Sequence, residues 1–444
     1  MKDDKTGKRD RGVSRRDFIK ASAAISLAAM VPGTAARAFA QRPERVRIGL
    51  IGCGGRGTSI TTSCLGGVPG TQLVAMGDIF EDHLDRSLER LTERAPKGSV
   101  NVGRRARYTG FDAFKGVIGR KDVDMVILTT PPGFRPEHYE AAIKAGKHMF
   151  MEKPVAVDPM GVRSIIATSE LADKKSLTVG TGTQRRHQGN YIETIKRIHD
   201  GAIGEIVGAQ CYWNGGGMMN YGDPIQPKWS EMERQIRQWY YYTWLCGDHI
   251  VEQHVHNLDV MYWVIGELPV KALGMGGAEV RKGPRYGNIF DHFAVEFEYA
   301  NGMRILSMCR HSDGCSSRIS ERVVGTKGVS NCAGTITGAN PFTYEGEDAR
   351  SAVVNEFTDT IASIRGDSSR MNYGKRIAES TMMAIIGRES AYTGREISWN
   401  WMMNVSTLDL RPPKYEWGPN PIPPRAVPGQ TKLAGFPEPP RRQR

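Results

Sequence analysis

A glycine-rich loop near residue 52 is the feature that most constrains how this chain can fold. The preceding run, Val46–Ile51, is short, apolar and rich in β-branched residues, which predicts a buried strand. The loop Gly52-x-Gly54-x-x-Gly57 follows directly, and a helical stretch follows the loop. This order predicts the opening of a Rossmann domain, in which glycines let backbone N–H groups approach a pyrophosphate at a helix N-terminus.

Further apolar segments extend this pattern to about residue 180. They alternate with helical stretches such as Pro136–Lys144, and such alternation predicts a parallel, doubly wound sheet. We therefore expect an α/β fold that begins with a dinucleotide-binding Rossmann domain over residues 41–180. The other strands predicted for its sheet are Gln72–Asp78, Val123–Thr130, His148–Met151 and Ser176–Gly180.

The pattern changes after residue 181, where longer alternating strands occur. Phe293–Tyr299 and Met303–Met308 are joined through Asn301-Gly302, a dipeptide typical of hairpins because it tolerates positive φ. Residues 181–410 are therefore predicted to form an α+β domain with an open, mostly antiparallel sheet. Two late helices, near residues 351–365 and 374–393, are expected to pack against that sheet.

Most of the formal charge of +12 lies in the two tails of the chain. Residues 1–40 carry nine Lys and Arg against four Asp and Glu, and residues 411–444 carry seven against two, so each tail contributes +5 and the middle keeps +2. That balance argues against a nucleic-acid partner. Residues 411–444 also hold ten of the 24 prolines. This composition predicts either an extended arm, for which a place on a neighbouring subunit is one alternative, or a disordered tail.

The N-terminus has the order of an export signal. Basic residues that include Arg15 and Arg16 precede a mild apolar run to Val31 and the small-residue sequence Ala38-Phe39-Ala40. The paired arginines resemble the twin-arginine signal, so we expect residues 1–40 to be a signal peptide and the mature protein to be periplasmic. An amphipathic N-terminal helix is the alternative. No later segment reaches the roughly 18 apolar residues of a membrane span, so no permanent anchor is expected.

Asp78, at the end of the second strand, points to the form of the dinucleotide. A carboxylate there accepts hydrogen bonds from the ribose hydroxyls and repels a 2′-phosphate. The residues that follow it, 79–82, include no arginine, so NAD is favoured over NADP. The glycine loop, the helix and this acid together make the prediction stronger than the loop alone.

Two further segments carry groups suited to proton and hydride chemistry. Lys153, between Glu152 and Pro154 at a predicted strand end, would sit beside the nicotinamide and stabilise an alkoxide. On a single helix over residues 248–259, Glu252, His256 and Asp259 would share a face, and His249 would join them. A carboxylate-held histidine is a good general base.

Alternatives stay open at this point. His249, Glu252 and His256 have a spacing that could instead bind a metal, or the histidines could cap a core. Trp213 and Trp244 could stack on the C–H faces of a sugar, although such aromatic residues also occur in core packing.

With these residues identified, the chain resembles the Gfo/Idh/MocA oxidoreductases from Arg45 to about Trp401. The resemblance rests on the glycine loop, on Thr129-Thr130-Pro131-Pro132, on the segments 145–154 and 252–259, and on the stretch 391–396. It implies a Rossmann domain followed by an open-faced domain, with a sugar, sugar derivative or cyclitol between them. It also implies that residues 181–410 bind the substrate and support a homo-oligomer.

The resemblance also implies roles for individual residues. Lys153 and His256 match the family's catalytic lysine and histidine, while Glu252 stands where the family usually has aspartate. The adjacent Arg185 and Arg186 match the pocket lining and would suit an acidic or hydroxyl-rich ligand. The expected cofactor-binding residues are Gly52, Gly54, Gly55, Arg56, Gly57, Asp78, Thr130, Pro131, His138, Glu152 and Lys153. The expected substrate-binding residues are Gln184, Arg185, Arg186, Trp213, Trp244, His256 and Asp259.

The function expected from these features is hydride transfer between a sugar or polyol carbon and NAD, with His256 as base, Lys153 stabilising the alkoxide and Glu252 orienting them. An exported protein has no free dinucleotide pool, so we expect the cofactor to be retained. Two alternatives are a redox-neutral, NAD-dependent glycoside hydrolase or lyase, and a non-catalytic sugar-binding protein.

Overall fold

The computed structural model describes residues 45–217 and 224–437. The predicted signal peptide, residues 1–40, lies outside the described residues, as do residues 438–444 of the C-terminal arm. Within the described ranges, no helix is both long and apolar enough to cross a bilayer.

The first sheet has six strands, all parallel, in the order β3-β2-β1-β4-β5-β6. Its central strands are buried except at Arg47 because helices cover both faces, which explains their apolar runs. The predicted Rossmann fold is therefore confirmed. The strands are β1 (Val46–Ile51), β2 (Thr71–Asp78), β3 (Arg107–Thr109), β4 (Met125–Leu128), β5 (His148–Met151) and β6 (Val179–Thr181).

The strand order reverses between β1 and β4, which are neighbours in the sheet. A crevice opens beyond the carboxyl ends of the strands at such a switch point, and ligands of open α/β sheets bind there. The helices of this part are α1 (Gly55–Gly67), α2 (Glu81–Arg94), α3 (Ala113–Ile118), α4 (Arg135–Lys144) and α5 (Pro159–Lys174).

The second sheet has nine strands in the order β14-β13-β12-β11-β7-β10-β9-β8-β15. Every pairing is antiparallel except that of β10 with β7, so the predicted mostly antiparallel sheet is confirmed. Gly302, at φ 80°, turns the predicted hairpin. The strands are β7 (Ile206–Gly215), β8 (Lys271–Gly277), β9 (His292–Glu298), β10 (Arg304–His311), β11 (Arg318–Gly325), β12 (Gly328–Ser330), β13 (Thr335–Gly338), β14 (Phe342–Thr343) and β15 (Ile397–Ser398).

Helices cover one face of this sheet, and α12 is buried along most of its length between β8 and α5. Both late helices form where they were predicted, but α11 packs on the Rossmann sheet instead of the second one. Its Phe357 stacks on Phe150 of β5 with ring centroids 4.1 Å apart. The helices after β6 are α6 (Gly189–His199), α7 (Glu231–Arg237), α8 (Thr243–Cys246), α9 (His249–Glu252), α10 (Val255–Ile265), α11 (Ala352–Arg365), α12 (Gly374–Thr393) and α13 (Trp399–Asn404).

The single helix predicted over residues 248–259 is wrong, because the segment forms α9 and α10 with a break at Gln253 and His254. His254 hydrogen-bonds the Ser307 hydroxyl at 2.7 Å, and the Gln253 side chain lies 2.6 Å from the His311 ring nitrogen. These hydrogen bonds to β10 give the Gln253 and His254 side chains partners, whereas an uninterrupted helix would place both side chains elsewhere. Consequently Glu252 and His256 no longer share one helical face.

Candidate active site

The glycine loop is built so that only glycine fits at its two structural positions. Gly52 has φ 94°, and a Cβ there would lie 2.7 Å from the backbone of Thr129 and Thr130. A Cβ on Gly57 would lie 2.1 Å from the Gly52 carbonyl oxygen. By contrast, the protein places nothing within 4 Å of a Cβ on Gly54 or Gly55, so that side of the loop is open. The open backbone at the start of α1 suits a phosphate group.

Asp78 ties the end of β2 to this loop. Its carboxylate accepts hydrogen bonds from the backbone N–H of Cys53 at 2.6 Å and of Phe80 at 2.9 Å. Burial raises the pKa of Asp78, and nearby His83, whose Nδ1 is 3.8 Å from the carboxylate, acts in the opposite direction. The acid is therefore held in one position at the edge of the crevice.

A cavity of about 510 Å³ occupies the crevice. This volume lies within the roughly 300–1,000 Å³ of small-molecule sites. The lining combines the aromatic residues Phe80, Phe111 and Trp239 with the open glycine loop, and these groups fit an adenine ring and a pyrophosphate. Of the predicted cofactor-binding residues, the lining includes Gly54, Gly55, Arg56, Gly57, Asp78, Thr130, Pro131 and His138. The structure thus brings most of the predicted set together around one cavity.

Arg56 connects this cavity to the predicted catalytic lysine. Its guanidinium lies 2.6 Å from the Oε1 atom of buried Glu152, and the other carboxylate oxygen accepts the Lys153 backbone N–H at 3.1 Å. The Lys153–Pro154 peptide is cis. Glu152 and Lys153 therefore both lie outside the cavity lining, and Glu152 is joined to the lining through Arg56.

The Lys153 side chain is held by Glu252, at the end of α9. Its Nζ atom donates hydrogen bonds to the Glu252 carboxylate, at 3.2 Å, and to the Glu252 backbone carbonyl. Both side chains are nearly buried, at 12% and 13% exposure. The extra methylene relative to aspartate gives Glu252 the reach to orient the lysine.

His256 lies in the first turn of α10, stacked against Trp213 of β7 with centroids 5.9 Å apart. Burial, reinforced by the positive charges of Lys153, Arg185 and Arg56, lowers the pKa of His256 well below its usual value. The imidazole is therefore neutral near pH 7, which is the form that can accept a proton.

The two adjacent arginines predicted to line the pocket are each paired with a buried acid. Arg185 forms an ion pair with Glu321 of β11, and its guanidinium lies 5.8 Å from the Trp213 ring centroid. Arg186 binds Asp259 in a bidentate manner, with contacts of 2.7 and 3.1 Å. Each cation is thus neutralised from within the protein, and Asp259 acts as the partner of Arg186.

Three further residues were predicted to bind substrate or cofactor, namely Gln184, Trp244 and His138. Gln184 begins a short turn beside Arg185, and its buried Oε1 has no hydrogen-bond partner among the described residues. Trp244 donates its indole N–H to Gln235 at 2.7 Å and packs edge-on against Phe134, so it lies behind the cavity wall. His138 lines the cavity and stacks on Phe114, at 4.1 Å.

The metal alternative finds no support in the geometry. His249 is fully buried, bonded to Asp248 at 3.0 Å and stacked on His311 at 4.6 Å. Among the described residues, no group of three or more His, Cys, Asp or Glu side chains could hold a metal ion.

Several residues of the cavity wall were missed in the sequence. Phe111, Ile236 and Arg237 line the cavity but carry no motif. Phe80 follows Asp78 by two positions, and Trp239 begins the aromatic-rich stretch 239–244 that ends at Trp244. This closeness in sequence to predicted residues is the signal that could have identified them.

Comparisons with known proteins agree with this architecture. A family model described as "Oxidoreductase family, NAD-binding Rossmann fold" matches residues 46–183, and the "GFO/IDH/MocA C-terminal domain" matches residues 191–330. The crystal structure of aldose-aldose oxidoreductase from Caulobacter crescentus aligns with a TM-score of 0.61 at 20% identity, covering 80% of this chain and 99% of that one. At this identity the likeness shows the fold.

Curated relatives match over shorter stretches. A "Glycosyl hydrolase family 109 protein" from Streptomyces coelicolor is 31% identical over 169 residues, which are 38% of this chain and 34% of that protein. "Inositol 2-dehydrogenase 3" from Saccharopolyspora erythraea is 28% identical over 260 residues, 59% of this chain and 65% of that protein. The chain therefore spans between a third and two thirds of these relatives. The two matched domains show that the chain belongs to the Gfo/Idh/MocA oxidoreductase family.

Proposed function

We propose that this protein transfers a hydride between a hydroxyl-bearing carbon of a neutral sugar, sugar derivative or cyclitol and a bound nicotinamide dinucleotide. The observation that carries the proposal is the arrangement beyond the carboxyl ends of the strands, where Glu252 holds the Lys153 ammonium at 3.2 Å and a neutral His256 stacks on Trp213. Lysine and histidine of this kind supply the two groups that oxidation of an alcohol requires.

The chemistry divides between these side chains. When bound, the dinucleotide supplies the acceptor for the hydride, which leaves the carbon with the electron pair of its C–H bond. His256 takes the hydroxyl proton, and the Lys153 ammonium donates a hydrogen bond to the oxygen as negative charge develops there. The alcohol is thereby oxidised to a carbonyl compound, and its hydroxyl proton is left on the His256 imidazole.

The charge balance of the site favours a neutral substrate. Arg185 and Arg186 would attract a carboxylate or phosphate if they were free, but Glu321 and Asp259 pair with them. Stacking on Trp213 suits the C–H face of a sugar ring. We expect turnover of neutral sugars and cyclitols to exceed that of the matching uronic acids, measured as kcat/KM across a paired panel.

For the cofactor we propose NAD. Asp78 lines the cavity with its carboxylate fixed, and a 2′-phosphate would approach this negative charge. Arg86, which also lines the cavity, is paired with Asp82 at 2.9 Å. Titration of the purified protein with NAD and NADP tests this preference, and Asp78→Ser should narrow the difference between the two dissociation constants.

Substitution of the lysine tests the catalytic proposal. Lys153→Ala should leave dinucleotide binding intact and reduce kcat by roughly 10²–10⁴-fold, the range of a positioned general acid–base group. Lys153→Arg, which keeps the charge, is the matched variant and should retain more activity. Undiminished turnover in Lys153→Ala, with cofactor bound, would remove the lysine from the mechanism.

A second candidate is supported by the Streptomyces coelicolor relative, which is described as a glycosyl hydrolase. In that case the same hydride transfer would be reversed within each cycle, after elimination of a glycosidic substituent. Purified protein with its bound dinucleotide should be offered free sugars and nitrophenyl glycosides. Net NADH formation supports the dehydrogenase, whereas nitrophenol release without net reduction supports the hydrolase.

We also propose that the protein is exported with its cofactor already bound, on the basis of Arg15 and Arg16 in the sequence. Replacing both arginines with lysine should retain the protein in the cytoplasm, which fractionation of expressing cells measures. Equal periplasmic yield from both forms would contradict a twin-arginine route.

A further inference from the structure

The C-terminal arm, residues 411–444, is described as far as residue 437, and it packs against its own chain. It has neither helix nor strand there, yet it is attached along its length. The Arg425 guanidinium donates to the Ile289 carbonyl at 3.1 Å, and the Gly429 N–H donates to the Thr393 carbonyl at 2.9 Å. Leu433 is buried in the main core.

Two aromatic residues of the arm contact the wall of the dinucleotide cavity. Trp417 stacks on Phe80 at 5.8 Å and lies 4.7 Å from Phe111, both measured between ring centroids. Tyr415 lies 5.2 Å from Phe134. All three phenylalanines line the cavity. The arm therefore supports the aromatic wall from behind.

The same part of the arm also holds α7, which contributes a second part of the cavity wall. The Gly418 carbonyl accepts the Met232 N–H at 3.1 Å, and the Asn420 N–H donates to the Glu231 carboxylate at 2.9 Å. Further along α7, Arg237 lines the cavity, and its guanidinium carbon lies 3.8 Å from the Phe80 ring centroid. Residues 415–420 thus bridge the Rossmann side and the second-domain side of the cavity at the end nearest Asp78.

We propose that residues 415–420 act as a clasp that retains the dinucleotide by fixing both walls around its adenosine half. The inference rests on the proposed dinucleotide cofactor, whose adenosine half lies at the Asp78 end in this fold. The clasp and the Arg237–Asp82 ion pair, at 3.1 Å, both hold α7 against the Rossmann side, so removing the clasp should loosen this end of the cavity and speed release of the cofactor. Trp417 and Tyr415 are positioning residues, since they act through the phenylalanines.

The test measures cofactor release from the full-length protein. NADH is bound, an excess of NAD is added, and the loss of bound-NADH fluorescence gives the release rate. Trp417→Ala removes two aromatic contacts from a side chain that is 47% exposed, so folding should be preserved. Contacts of this size predict release that is roughly ten-fold to a hundred-fold faster. Trp417→Phe should lie near the wild type.

Phe436→Ala is the matched control, because Phe436 belongs to the same arm but packs on Trp401, at 4.6 Å, and does not line the cavity. Its release rate should equal that of the wild type. Wild-type release rates in both Trp417→Ala and the double variant Tyr415→Ala/Trp417→Ala would overturn the clasp while leaving the cofactor proposal intact. If the wild type binds neither NADH nor NADPH, the proposed function itself fails, and the clasp fails with it.

Discussion

Buried histidines should make this fold sensitive to mild acid. Burial lowers the pKa of His138 to about 3 and that of His254 to about 3. An unfolded chain binds a proton at each of these imidazoles near pH 6.5. At these imidazoles the unfolded state then holds more protons than the native state, so the contribution of these histidines to the free energy of unfolding falls as the pH falls below 6.5.

The size of the effect follows from these values. At pH 5, protonation stabilises the unfolded imidazole by about 2 kcal/mol for each histidine, so the pair costs about 4 kcal/mol relative to pH 7.5. The pKa values of His148 and His256 are also lowered, first of all by burial, so they act in the same direction.

Urea unfolding of the cofactor-free protein at pH 7.5 and pH 5 measures this loss. His138→Phe keeps a ring against Phe114 and Phe134 but cannot titrate, so its loss of stability should be smaller by about 2 kcal/mol. Phe134→Leu, which changes a neighbour of the same ring without removing a titrating group, is the control and should lose as much as the wild type. Equal losses in His138→Phe and the wild type would refute the reasoning.

Three further outcomes are expected. Glu252→Gln removes the charged partner of Lys153. Because hydrogen bonds to charged groups contribute about 1.5–3 kcal/mol, this variant should lower kcat by roughly ten-fold to a hundred-fold with little change in the Kd for NADH. An unchanged kcat would show that the lysine needs no such partner. Asp259→Ala leaves buried Arg186 unpaired and should lower the free energy of unfolding by about 3–5 kcal/mol in urea titrations, whereas a loss below 1 kcal/mol would show that the pair is dispensable. Met275→Asp places a charge on the outer face of β8, where Met275 is 75% exposed. If the expected homo-oligomer uses this face, light scattering should show smaller assemblies for the variant. An unchanged mass would exclude this face as the oligomer interface.

The sequence alone predicted the features that local rules control. The glycine loop, the strand before it and the acid after β2 follow from residue size, apolar pattern and backbone freedom over short stretches. The late helices near 351–365 and 374–393 and the hairpin at Asn301-Gly302 were predicted almost to their observed bounds for the same reason.

Placement between distant parts of the chain was decided only by the tertiary structure. The break at Gln253 and His254 depends on side-chain bonds to β10, more than 50 residues away. The pairing of Arg185 with Glu321 joins residues 136 positions apart, and it neutralises one of the two arginines that were expected to suit an acidic or hydroxyl-rich ligand. In the same way, nothing local to Trp417 indicates Phe80 as its partner. The local pattern of side chains determines whether a helix or a strand forms. The partner of a buried charge or aromatic ring depends instead on which distant residues the fold brings within contact distance.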